Sequence, residues 1–206
     1  MQRSGLALAV LALLFERPMH PYLMQRHIKE RGKDLVVNVG QRSQLYKTID
    51  RLQAEMLIKV AKVERSTAGQ ERTLYEITDE GRKVTVTWTY DMLASPRRDF
   101  PEFTAGLAYL PVLTTDQTIG ALEKRLSAVR AEAGELEKGM AEADFLPRLF
   151  VIESEYMLAH LRTDIEWIEA LLAELRAGTF TWDLAQLEDW AKEAFPEAFG
   201  KEAPEG

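Results

Sequence analysis

Two apolar series, each about 25 residues long, constrain this chain more than any other feature. Ile119, Leu122, Leu126, Val129, Ala133, Leu136, Met140 and Ala143 form the first; Val151, Ser154, Leu158, Leu161, Ile165, Ile168, Leu172 and Leu175 form the second, with Pro147 between them and Gly178 after. Steps of three and four return to one face of a helix, so each series is one apolar stripe. Two such helices joined by a short turn predict an antiparallel, coiled-coil-like hairpin. The flanking charged positions are mostly acidic, and a lone hairpin leaves apolar surface in water. A second copy covers it, so this part reads as a dimerisation domain; a self-contained hairpin is the alternative.

The remainder of the chain differs in charge. Residues 1–90 hold 15 Lys+Arg and 10 Asp+Glu, a net of +5, whereas residues 91–206 hold 11 and 23, a net of −12; the chain total is −7. A basic unit joined to an acidic one suggests a polyanion partner for the first, because neutralising phosphates supplies most non-specific affinity for nucleic acid. Solvated charged faces are the plainer account of the same imbalance.

Several chemistries find no support. There is no cysteine, which removes disulfides, Cys-bound zinc and thiol nucleophiles. His20, His27 and His160 have no metal-ligand spacing, and no Gly-rich phosphate loop or nucleophile elbow occurs. Glu153 with Glu155, and Glu166 with Glu169, read as a solvated helix face. No enzyme activity, cofactor or metal is expected. The apolar run from Gly5 to Phe15 is about half the length needed to cross a ~30 Å hydrocarbon layer. It imitates a secretory signal after Arg3, but Phe15-Glu16-Arg17-Pro18 offers no small-residue cleavage site, so a buried helix in a cytoplasmic protein is expected.

The basic part reads as three helices and a hairpin. Ser4 caps a first helix over about 4–16 that stops before Pro18; a second follows Pro21 and ends before Gly32; Val36, Val37 and Val39 suggest a short extended link. A third helix, about 42–55, places Leu45, Ile49 and Leu52 on one side and Ser43, Gln44, Lys47, Asp50 and Arg51 on the other. Leu57–Val63 and Thr73–Ile77 alternate as strands around a turn-rich tip, Ser66–Gln70. The order predicts a winged helix-turn-helix. Thr78 then caps a connecting helix to about Ala94, which divides the chain into domains 1–94 and 95–206. Residues 96–111, with three prolines and Phe100, Phe103 and Tyr109, read as a linker plus a short helix. Leu184, Leu187, Trp190 and Ala191 suggest a last amphipathic helix, and Gly200–Gly206 are expected to be disordered.

These residues resemble a known family. Leu8-Ala9-Val10-Leu11 with Met19-His20-Pro21-Tyr22-Leu23-Met24, then Gln41 to Leu52, then Glu71 to Gly81, match in order and spacing the PadR-type transcriptional regulators. The acidic part is similar to the long helical C-terminal domain of one branch. The resemblance implies a ligand-responsive repressor, dimeric on a palindromic operator in double-stranded DNA. Its third helix would enter the major groove through Ser43, Gln44, Tyr46, Lys47 and Arg51, with Arg65 and Arg72 near the wing. Gln44 suits adenine, and Lys47 suits guanine or a phosphate. Tyr22 resembles the family tyrosine that contacts phosphate; a half-buried core aromatic is its other reading. Some members bind aromatic or drug-like inducers, for which Trp88 and His160 are the candidates here. Three departures stand out: Met56 where many members have glycine before the first wing strand, Gln44 in place of a common Gly-Ser pair, and the tip Ser66–Gln70 in place of Gly-Arg-Pro. A chain of this fold that has lost DNA binding and serves as a protein-interaction module is the alternative.

Overall fold

A computed structural model describes residues 3–40, 42–65 and 71–195. The expected tip Ser66–Gln70 and the terminal Gly200–Gly206 lie outside them. The chain forms two compact units, Met1–Arg98 and Asp99–Gly206, dividing a few residues past Ala94.

In the first unit, α1 (Gly5–Glu16) starts where Ser4 Oγ accepts the Ala7 N–H at 3.2 Å. Its Ala7, Val10, Leu11, Leu13 and Leu14 are all buried, as its nearly uniform apolar sequence requires. Helix α2 (Pro21–Glu30) opens on Pro21, whose missing N–H costs nothing at a first helical position. Gly32 then adopts φ +64°, and the chain coils into a 3-10 turn, Lys33–Leu35. At Val36 and Val37 this replaces the expected extended link. The amides of Val36 and Val37 both reach back to the Lys33 carbonyl, at 3.2 and 3.0 Å, so local hydrogen bonds override the strand preference of valine. Helix α3 (Arg42–Ala54) buries Leu45, Ile49 and Leu52 against the core, each worth about 2 kcal/mol relative to exposure.

Strands β1 (Ile58–Arg65) and β2 (Glu71–Ile77) pair antiparallel, with a register shift between Val60 and Lys62 that leaves Ala61 as a bulge. Met19, between α1 and α2, adds an isolated bridge to Tyr75 through two hydrogen bonds of 2.9 and 3.0 Å. The hairpin is therefore anchored to the helices at its middle. Its base is anchored by Thr78, whose Oγ1 donates toward the Met56 and Leu57 carbonyls (2.8 and 3.0 Å) and accepts the Gly81 N–H at 3.0 Å. There α4 (Asp79–Ala94) begins. Gly81 sits so close to β1 that a Cβ would lie 2.1 Å from the Leu57 carbonyl oxygen.

The second unit contains α5 (Glu102–Ala108), α6 (Thr115–Glu142), α7 (Ile152–Ala177) and α8 (Leu184–Ala194). Thr114 and Gln117 form a reciprocal capping box at the start of α6, and Gly178, at φ +70°, ends α7. Helices α6 and α7 form the antiparallel hairpin, burying Leu122, Leu126, Ile168, Leu172 and Leu175 near one end and Ala133, Leu136 and Leu158 further along. Glu123–Arg176 (2.6 Å), Arg130–Glu169 and Glu137–Arg162 (2.7 Å) cross between the helices, numbers rising on one as they fall on the other. Exposed pairs of this kind contribute under about 1 kcal/mol each, so they specify register while the apolar seam supplies stability. Phe103 of α5 packs under the Arg125 guanidinium, 3.7 Å from its ring centre, and edge-on to Trp167.

Candidate nucleic-acid interface

Burial of Leu45, Ile49 and Leu52 dictates the direction of every other side chain on α3. Ser43, Gln44, Tyr46, Lys47, Asp50 and Arg51 all emerge on the exposed side, as the helical spacing requires. Thr48, between them, is buried, and its hydroxyl donates to the Gln44 carbonyl at 2.8 Å. Arg42 joins the exposed face as the first residue of the helix. Sequence reasoning had named only the residues after it, although its four-residue spacing from Tyr46 was a usable signal.

Several basic side chains elsewhere in the unit are neutralised: Lys59 by Glu76 at 3.1 Å, Lys62 by Glu64 at 3.1 Å, Arg26 by Glu30 at 2.6 Å, and Arg31 by Glu16 through two hydrogen bonds. Among the described residues no ion pair engages Arg42, Lys47, Arg51 or Arg72. Asp50 is the one carboxylate among the outward residues of α3. Tyr75 on β2 lies close by, its phenol pushed up by burial and further by the charges of Asp50 and Tyr46.

Arg72 is exposed on β2, directly across the ladder from Glu64. Arg65 closes β1; its side chain is not among those described. Tyr22, second residue of α2, is 61% exposed, which does not fit the core-aromatic reading and leaves its hydroxyl free to meet a phosphate. The anticipated functional groups Tyr22, Ser43, Gln44, Tyr46, Lys47, Arg51 and Arg72 therefore all stand exposed on one folded unit.

Residues 10–86 match the model of the Transcriptional regulator PadR-like family. The fold is also that of solved PadR structures: Bacillus subtilis PadR in complex with operator DNA (TM-score 0.71, 18% identity, covering 85% of this chain and 99% of that one), the same protein in complex with p-coumaric acid (0.66, 19%, 83% and 98%), and the PadR-like regulator BC1756 from Bacillus cereus (0.60, 18%, 84% and 99%). No curated protein matches the sequence. The first unit is similar to the PadR-like family over residues 10–86 and shares the fold of these solved structures. That family is one of transcriptional regulators.

Within the matched segment two sequence details acquire physical reasons. Met56, where many members have glycine, adopts φ +58°, a backbone region that costs a residue with a Cβ about 1 kcal/mol or more. The Thr78–Gly81 motif at the end of the matched segment is a helix cap followed by a position with no room for a side chain. Trp88 and His160 fall in different units. Trp88 is 8% exposed and packs into the core of the first; His160 is exposed on α7, edge-on to Tyr156 at 4.4 Å. Of the acidic pairs on α7, Glu155 is held by Arg148 and Glu169 by Arg130. Among the described residues no cluster of His, Asp and Glu could hold a metal, and no helix is long and apolar enough to cross a membrane.

Proposed function

We propose that this PadR-like protein is a cytoplasmic, homodimeric repressor that binds a palindromic operator and is released by a small aromatic effector. The observation that carries the DNA-binding part is the exposed face of α3, where Arg42, Lys47 and Arg51 stand together with no ion pair among the described residues. In this reading Ser43 and Gln44 reach base edges from the first turn of α3, and Gln44 fits the paired donor and acceptor of adenine. Lys47 serves guanine or a phosphate. Tyr46, Arg51 and Tyr22 fix the register on the backbone, and Arg65 and Arg72 bring the wing to adjacent phosphates. Residues 1–94 are the reading head and residues 95–206 the dimerisation and effector domain.

Dimerisation is supported by apolar surface that one copy leaves in water: Phe145, Leu149, Phe150 and Tyr156 are exposed around the turn between α6 and α7. Two-fold symmetry of the protein would match two operator half-sites. The effector is supported by the p-coumaric acid complex of Bacillus subtilis PadR; of the two candidate residues, His160 is exposed on α7 while Trp88 is buried in the core of the first unit. A footprint on the DNA upstream of the gene, repeated with a panel of aromatic acids, tests the whole reading. Two protected half-sites lost on adding one compound are expected. No protection at low salt would refute DNA binding and favour a protein-interaction module.

A further inference from the structure

Among the described residues, His20, just before α2, ties the outer half of the wing to the helices. Its Nδ1–H donates to the Thr73 carbonyl at 2.9 Å, and its Nε2 stands 3.6 Å from Glu64 Oε2. In the imidazolium both nitrogens donate. The other oxygen of Glu64 takes Lys62 Nζ at 3.1 Å. Glu64 lies directly opposite Arg72 in the ladder, where side chains of facing residues share one side of the hairpin and opposite charges pair readily. Yet among the described residues no ion pair holds Arg72. The carboxylate best placed to neutralise the wing arginine is already occupied from two other directions. The Lys62 ammonium, with His20 adding to it, holds the Glu64 carboxyl below the usual carboxylate range, so the charge on Glu64 is present and has to be managed.

The geometry points to His20 as a positioning residue for DNA binding: by fastening the Thr73 carbonyl and drawing Glu64 toward the helices, it keeps Arg72 free for a backbone phosphate. This rests on the reading of Arg72 as a phosphate contact. Without the imidazole, Glu64 swings across the ladder to Arg72 and cancels it, although no group that touches DNA has been removed.

The test uses the full chain and duplex DNA from its own upstream region, with affinity measured across a salt series. Arg72→Ala is expected to lower the slope of log K against log salt by about 0.9 for each bound copy, the signature of one lost phosphate neutralisation. His20→Asn retains an amide donor for the Thr73 carbonyl but falls short of Glu64. It is expected to give the same drop in slope with an unchanged thermal midpoint. Adding Glu64→Gln to His20→Asn should restore the slope, because the competing charge is gone. A purely structural histidine would lose affinity at constant slope and would not be rescued at Glu64. The inference is overturned if Arg72→Ala lowers the slope and His20→Asn does not, or if the double variant stays as weak as His20→Asn. An unchanged slope in Arg72→Ala would remove the Arg72 contact itself, and the inference with it.

Discussion

Replacing Gly81 with alanine should damage the first unit far more than a one-carbon change in a helix normally does. The added Cβ would stand 2.1 Å from the Leu57 carbonyl oxygen and 2.8 Å from Ile77 Cγ1. An ordinary contact needs about 1 Å more, and neither neighbour is a flexible side-chain end. Helix α4 would have to withdraw from the base of the wing. That movement strains the Thr78 N–H to Leu57 bond at 3.0 Å and the Thr78 hydroxyl bonds to Met56 and Leu57. Overpacking costs about 1–3 kcal/mol and a disrupted cap about 1 kcal/mol, against less than 1 kcal/mol gained from alanine's better helix propensity. A net loss of about 1–3 kcal/mol follows. Hydrogen exchange on the whole chain is the suitable assay, because it reads the two units separately. Protection in α4 and β1 should fall by about one to two orders of magnitude while α6 and α7 keep theirs. Gly134→Ala in α6, where a Cβ meets nothing within 4 Å, is the control and should stabilise by up to about 1 kcal/mol. If both substitutions behave alike, the close approach of α4 to β1 is wrong.

Further outcomes follow from other positions. Met56→Gly should stabilise the first unit by about 0.5–1 kcal/mol, seen as a higher urea midpoint, since relief of the left-handed strain exceeds the entropy cost of glycine; a lower midpoint would contradict the backbone described. Glu16, hydrogen-bonded by Arg31, has its carboxyl held below the usual range. A depressed carboxylate contributes stability above its unfolded value of about 4.3 and loses it as pH falls through the lower folded value. Arg31→Met should therefore cost under about 1 kcal/mol at pH 7, because the pair is half exposed, and nothing near pH 2. Equal cost at both pH values would count against the pair. Phe103→Ala removes the ring beneath Arg125 and the edge contact with Trp167, and should destabilise the second unit by about 2–3 kcal/mol as read by exchange in α6 and α7. Loss of protection confined to the first unit would refute it.

The long helices were the most readable part of the chain, because many positions vote for one stripe: the series from Ile119 to Ala143 and from Val151 to Leu175 lie within helices found at Thr115–Glu142 and Ile152–Ala177, or at most one residue beyond. Order and identity of the elements in the first unit were readable for the same reason, with Ser4, Pro21 and Thr78 marking helix starts. Short segments were not. Val36 to Val39 carry a strand propensity that two backbone bonds to Lys33 outweigh. The alternation from Leu57 to Val63 also hides the bulge at Ala61, where one extra residue exchanges the faces of everything beyond it. For the binding face, angular position on α3 was enough to find the exposed residues. Which of them stay unpaired depends on partners distant in sequence, such as Glu76 for Lys59, and that required the fold. The grip of His20 on Thr73, 53 residues away, left no trace in local pattern.

The central claim is that the free face of α3, in a chain of net charge −7, binds duplex DNA. Its most direct test is the salt dependence of binding to the chain's own upstream region, compared between the native protein and Lys47→Ala. A steep negative slope, made shallower by about 0.9 per bound copy in the variant, is the predicted result. No retention of DNA even at low salt, or a slope that Lys47→Ala leaves unchanged, would contradict it.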